Sequence, residues 1–130
     1  MNTLVDDKYM TVSEDNGVLS LVWKKETTNF TDEDFKKEAN KFIKVVQNQK
    51  SKNILVDMRS FRYSLSEGVV TWRKANVISV YNKLGVKKFA FISKKPAVKQ
   101  DAPENTFVTK TFTSEKEGIK WLTLKSSDQF

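Results

Sequence analysis

The sequence predicts an α/β domain: an open, mixed sheet of about five strands, with an N-terminal hairpin followed by parallel β-α-β units, and three main helices. Three observations predict it. Asp15-Asn16-Gly17 stands between two stretches rich in alternating apolar residues, the pattern of a tight hairpin turn. Two short apolar runs, Ile54-Leu55-Val56 and Phe89-Ala90-Phe91-Ile92, match strands covered on both faces of a parallel sheet. A stretch of helical periodicity precedes each run, and parallel neighbours must be joined by such crossovers, which are almost always right-handed.

The elements follow in order. Tyr9 to Ser13 alternates as a strand, and Val18 to Trp23 returns as its partner. Thr31 caps a helix whose first turn, Asp32, Glu33 and Asp34, places carboxylates at the positive end of the dipole. Phe35, Ala39, Phe42, Ile43 and Val46 form its buried stripe. A central parallel strand from Asn53 ends at Asp57. A second helix begins near Ser64 or Ser66 and runs to Leu84, with Gly85 as its stop and Val70, Val77, Val80, Tyr81 and Leu84 on one side. Lys88 to Ser93 is the next buried strand. From 94 to 106 the chain holds two prolines and reads as a surface loop. Phe107 to Thr113 is a last, edge strand, and Ser114 with Glu117 forms a capping box for a short helix carrying Ile119, Trp121 and Leu122. Residues 1–125 thus make one domain, and 126–130 a frayed tail.

Composition limits the chemistry. With no Cys and no His, the 130-residue chain has no disulfides, no thiol chemistry, no metal site built on those ligands and no side chain that ordinarily titrates near neutrality. No cofactor is implied, and most enzyme classes are disfavoured. The longest strictly apolar run, Phe89 to Ile92, is far short of the ~20 residues that span a bilayer. The first thirty residues lack a secretory stretch, so a cytoplasmic chain with no membrane insertion is expected, as a monomer or weak homodimer. The net charge of +7 is unevenly spread: residues 69–100 carry eight bases and no acid. Lysines on such a stretch ordinarily form a solvated face. The alternative is a nucleic-acid or acidic-surface binder using Lys83, Lys87, Lys88, Lys94, Lys95 and Lys99.

The order of elements, with an Asp ending the first parallel strand, resembles the SpoIIAA-like family of STAS domains. Asp57-Met58-Arg59 matches that family's strand end. Leu65-Ser66-Glu67-Gly68-Val69 falls where the family has Asp-Ser-Ser-Gly-Leu at a helix start, so Ser66 and Gly68 occupy the phospho-serine and glycine positions, while Leu65 and Glu67 replace Asp and Ser. Phe112-Thr113-Ser114, Glu117 and Trp121-Leu122 resemble the closing strand and helix of its STAS/SEC14-type branch, and Gly85 to Ile92 resembles its helix-to-strand junction. The likeness covers residues 10–122. It implies a non-enzymatic binding or regulatory domain, with Ser66 as a phospho-acceptor.

In parallel α/β sheets the ligand crevice lies beyond the carboxyl ends of the strands. The sequence places Asp57, Arg59, Ser60, Arg62 and Ser64 on a loop leaving such an end, with Ser66 and Gly68 at the helix start, where free amides favour an anion. A protein partner or a small anionic or amphipathic ligand is the expected occupant. Each residue also has a plainer role: Asp57 holding the next loop, the arginines pairing with local acids, and Ser64 or Ser66 as N-cap. Arg73 is the misfit of the second helix. On a regular wheel it falls inside the apolar arc and Trp72 outside, so either the helix kinks or changes register near 73, or Arg73 faces the crevice or a buried partner and Trp72 is an exposed interface anchor.

Overall fold

A computed structural model of the chain describes residues 2–94 and 105–124. Its six strands are β1 (Asn2–Asp6), β2 (Met10–Asp15), β3 (Val18–Trp23), β4 (Asn53–Asp57), β5 (Lys88–Ile92) and β6 (Val108–Phe112). They form one mixed sheet in sequence order, β1-β2-β3-β4-β5-β6. β1, β2 and β3 pair antiparallel, and β3, β4, β5 and β6 pair parallel. The fold is therefore the expected mixed α/β sheet, with one strand more than the sequence pattern suggested. β1 escaped notice because it is short and half exposed, and pairs only with β2, through a bulge near Thr3 and Val5.

The hairpin turns as read: Asn16 and Gly17 take φ of 51° and 80°, the left-handed pair a primed turn requires. Helix α1 (Asp32–Gln49) starts in a full capping box, in which Asp34 N donates to Thr31 Oγ1 and Thr31 N donates to the Asp34 carboxylate. Its buried side chains are the expected stripe together with one carboxylate, Glu38. A short 3-10 turn (Lys25–Asn29), not anticipated from the sequence, precedes it and buries Thr27.

The second helical stretch has three parts: α2 (Glu67–Arg73), a π-helical segment (Lys74–Ile78) and α3 (Ser79–Leu84). The backbone stays right-handed helical through both junctions, so it is one continuous rod with a widened turn. Gly85 ends it at φ 70°. The π segment is the register change that the position of Arg73 asked for. It also corrects the stripe: Val69, Val77 and Tyr81 are buried, whereas Val70 is 53% exposed. A widened turn holds an extra residue, so a strict 100° wheel misplaces side chains on one side of it.

Helices α1 and α2 pack on one face of the sheet, where Met10, Leu19, Leu21, Ile54, Val56 and Phe89 meet Phe35, Phe42, Val46, Val69 and Tyr81. Helix α4 (Glu115–Leu122) covers the other face, where Leu122 meets Val18, Leu55, Ala90 and Ile92. Gly118 lets it approach: a Cβ there would lie 2.8 Å from Ile92 Cδ1. Ser114 caps α4 by accepting from Glu117 N, while Ile119 remains 36% exposed. Most of the expected 94–106 loop and the 126–130 tail lie outside the described residues. No described helix is long and apolar enough to cross a membrane.

Candidate functional site

Asp57 ends β4 as read, with its carboxylate 4% exposed and gripped by its neighbour. Arg59 Nη2 stands 2.7 Å from Asp57 Oδ2, and Arg59 Nε donates at 3.0 Å to Oδ1, which also accepts Arg59 N at 3.0 Å. The carboxylate pair and the nearby Glu115 charge hold the Arg59 guanidinium above its ordinary range, against a smaller opposing effect of burial. Asp57 stands two residues beyond Leu55 on β4 and shares its face, so it leaves the sheet on the α4 side.

Ser66 lies on the other side. Its hydroxyl caps α2 by accepting from Val69 N at 3.2 Å and donates to Asp32 Oδ2, at the start of α1, at 3.0 Å. Tyr63 donates its phenol to the same carboxylate. Hydrogen bonds from Tyr63 and then Ser66 hold Asp32 below the ordinary carboxylate value, and burial first, then Asp32, pushes Tyr63 up to about 12. The choice between Ser64 and Ser66 as N-cap is thus decided for Ser66, and Ser64 is exposed. A phosphate on Ser66 would face the Asp32 carboxylate, a like charge. Gly68 borders open space, since an added Cβ would meet nothing within 4 Å.

The loop between them is packed shut by its own side chains. Phe61 sits 5.0 Å from the Trp23 ring and Tyr63 stacks at 5.7 Å on Phe35, closing an aromatic cluster with Phe30. Arg62 N donates to the buried Thr27 hydroxyl at 2.9 Å, and its guanidinium to the Arg59 carbonyl at 2.9 Å. Ser60 is half-buried. The reason lies in the topology. A crevice opens at a sheet's carboxyl edge where successive connections leave for opposite faces. Here strand order equals sequence order and both described crossover helices lie on one face, so β4 has no such switch point.

Open space exists instead farther along that face. A cavity of about 370 Å³ lies between the rod 67–84 and strands β5 and β6. Leu65, Val70 and Ile78 line one side, and Phe89, Phe91 and Phe107 the other. Polar groups reach it from Arg73, Lys74, Asn105 and Thr109. Among the described residues the rod is the last crossover helix here, and it leaves the sheet over β5 and β6 partly uncovered.

Arg73 is the distinctive member. Among the described residues no carboxylate or carbonyl is within hydrogen-bonding reach of its guanidinium. Burial pushes its pKa below the ordinary arginine value, while Tyr81 acts weakly in the other direction. It stays a cation at any physiological pH. Of the expected site residues, then, Arg73 is the one that lines this cavity. It places Asp57 and Arg59 towards α4, and Ser66 beside α1. Trp72 is half-buried, packed against the core, with Lys36 Nζ 5.9 Å from its ring.

The basic stretch is divided as well. Lys88 donates to the Trp121 carbonyl at 2.9 Å on the α4 face, the adjacent Lys87 is exposed, and Lys95 and Lys99 lie outside the described residues.

A second cluster of titratable groups was not anticipated. Asp7, in the β1–β2 turn, accepts Tyr9 N and Met10 N on Oδ1, and Lys41 on Oδ2 at 2.9 Å. Lys41 also pairs with Glu38 Oε2 at 2.8 Å, and Glu38 Oε1 is buried with no hydrogen-bond partner. Burial, then Asp7, pushes the Glu38 pKa up. Burial also raises Asp7, but hydrogen bonds from Lys41 and the two amides outweigh it and hold Asp7 well below the ordinary value. The sequence carried one signal: Glu38 sits between Phe35 and Phe42 at helical spacing.

Compared with family models, curated proteins and solved structures, the chain gives no match in any of the three.

Proposed function

We propose that this chain is a non-enzymatic binding or regulatory domain of the SpoIIAA-like, STAS type, and that it recognises a small anionic ligand in the cavity beneath the rod 67–84. One observation carries this reading: a half-buried arginine without an anionic partner lines a cavity whose other walls are largely apolar. A buried charge is costly unless it is paired, and buried cations are ordinarily matched within the fold. A cation left unmatched beside open space is complementary to an anion from outside, and the guanidinium fork suits carboxylate or phosphate. The π segment supports the same placement, because such widened turns recur at functional sites, and this one begins at the residue after Arg73. The absence of His and Cys from the sequence favours recognition over catalysis.

The test is native mass spectrometry of the full chain isolated from its own cells, alongside Arg73→Gln produced in the same way. The expected result is a small-molecule adduct on the wild-type chain that is lost from the variant. A wild-type chain that carries no adduct, and whose amide resonances around the cavity do not respond to any organic anion at millimolar concentration, overturns the reading.

A further inference from the structure

We infer that the ligand class is a monocarboxylate with a compact apolar body, its carboxylate on the Arg73 guanidinium and its body against Leu65, Ile78 and Phe91. This inference rests on the binding reading above and narrows it to a chemical class.

Charge sets the first limit. The cavity offers one half-buried cation, and the other basic residue of its lining, Lys74, is exposed to solvent. A monoanion is neutralised by one guanidinium. A phosphate dianion would leave a second charge against an apolar wall, where desolvation is not repaid. Size sets the second limit. At about 370 Å³ the cavity lies near the small end of ligand pockets, with room for about a dozen water-sized groups at ~30 Å³ each. The walls set the third. Phe91 presents the accessible ring of the sheet-side wall, backed by the buried rings of Phe89, 4.7 Å from it, and Phe107, 6.0 Å from Phe89. An aromatic or short branched body fits such a surface at the 4.5–7 Å centroid spacing that rings prefer. Leu65 and Ile78 add apolar surface on the helix side, which lowers the local polarity around the carboxylate–guanidinium pair and so strengthens it.

The experiment titrates the full chain with three probes that share one body: 3-phenylpropionate, its neutral amide, and phenyl phosphate at pH 7.5. Calorimetry reads affinity, and backbone amide shifts around residues 65–78 and 89–109 read location. The expected result is that 3-phenylpropionate binds at this location, about tenfold or more tighter than the amide, as a charge-assisted bidentate pair requires. It should also bind more tightly than phenyl phosphate. Arg73→Gln should abolish the preference for acid over amide while still binding the amide weakly, which shows that the cavity is intact. Ile78→Trp, which fills the cavity without touching the charge, should remove binding of all three.

Phenyl phosphate binding more tightly than the carboxylate, with Arg73→Gln weakening it, would overturn the monocarboxylate class and leave the anion-binding reading standing. Equal affinity for acid and amide, or indifference to Arg73→Gln, would remove the anion reading itself. If no probe shifts the cavity resonances, both fall.

Discussion

Replacing Glu38 by Gln should make the protein more stable at neutral pH, although it removes one side of an ion pair. Glu38 is 2% exposed, and its Oε1 has no donor facing it. A buried acceptor without a partner costs about 1–3 kcal/mol. The Lys41–Glu38 pair offsets part of this, but Lys41 is 42% exposed and keeps Asp7 at 2.9 Å in the variant, so the loss there is about 0–1 kcal/mol. A glutamine amide can accept from Lys41 and donate towards Asp7, as a protonated Glu38 would. The net gain is about 1 kcal/mol at pH 7–8, or roughly 3–5 °C in Tm for a domain of this size.

The pH dependence carries the sharper test. Because the folded Glu38 pKa is raised, its contribution is fully present below the unfolded carboxylate value and is lost as pH rises through the folded one. Asp7 is lowered, so its contribution is present above the unfolded value and lost as pH falls through the folded one. Wild type should lose stability on the alkaline side of the Glu38 titration, and Glu38→Gln should not. Urea unfolding from pH 4.5 to 8.5 measures both curves. A variant less stable than wild type at pH 8, or a difference that does not shrink towards pH 4.5, refutes the reasoning.

Two further substitutions probe the residues that the sequence singled out. Arg59→Ala leaves the Asp57 carboxylate buried with its cation gone and should destabilise by about 1–3 kcal/mol, discounted because Arg59 is 36% exposed; adding Asp57→Asn should recover part of that loss in the same denaturation assay. Ser66→Ala removes both the α2 cap and the link to Asp32, and should cost about 1 kcal/mol and speed amide exchange in the first turn of α2.

Most of the fold was legible because its signals are local. Asn16-Gly17 declares a turn, Thr31 and Gly85 declare helix ends, and the stripe from Phe35 to Val46 declares which face is buried, each within one or two turns of chain. What was missed depends on contacts between distant segments. β1 exists through pairing with β2, and Asp7 in its turn is tied to Lys41 on α1, which no local pattern reveals. The expected crevice beyond β4 is filled by Phe61 and Tyr63, because all described crossovers lie on one face, a property of topology rather than of the loop's own residues. That Asp57 and Ser66 diverge was partly readable, since Asp57 must share a face with Leu55. Arg73 was legible as a charge within an apolar arc, and the widened turn that begins after it accounts for that misfit. The cavity it lines also needs Phe91 and Phe107, which strand periodicity alone reads as core.

The widened turn at Lys74–Ile78 makes the character of this surface depend on a single-residue count. Both ends of the rod are anchored, by the Ser66 hydroxyl on Asp32 and by the Tyr81 ring against Phe89. A sister chain one residue shorter within that turn would close into ordinary α geometry, swinging the upstream side chains by about 100° relative to α3. A different residue would then take the place of Arg73, so such a deletion would change which side chain lines the cavity while sparing the scaffold.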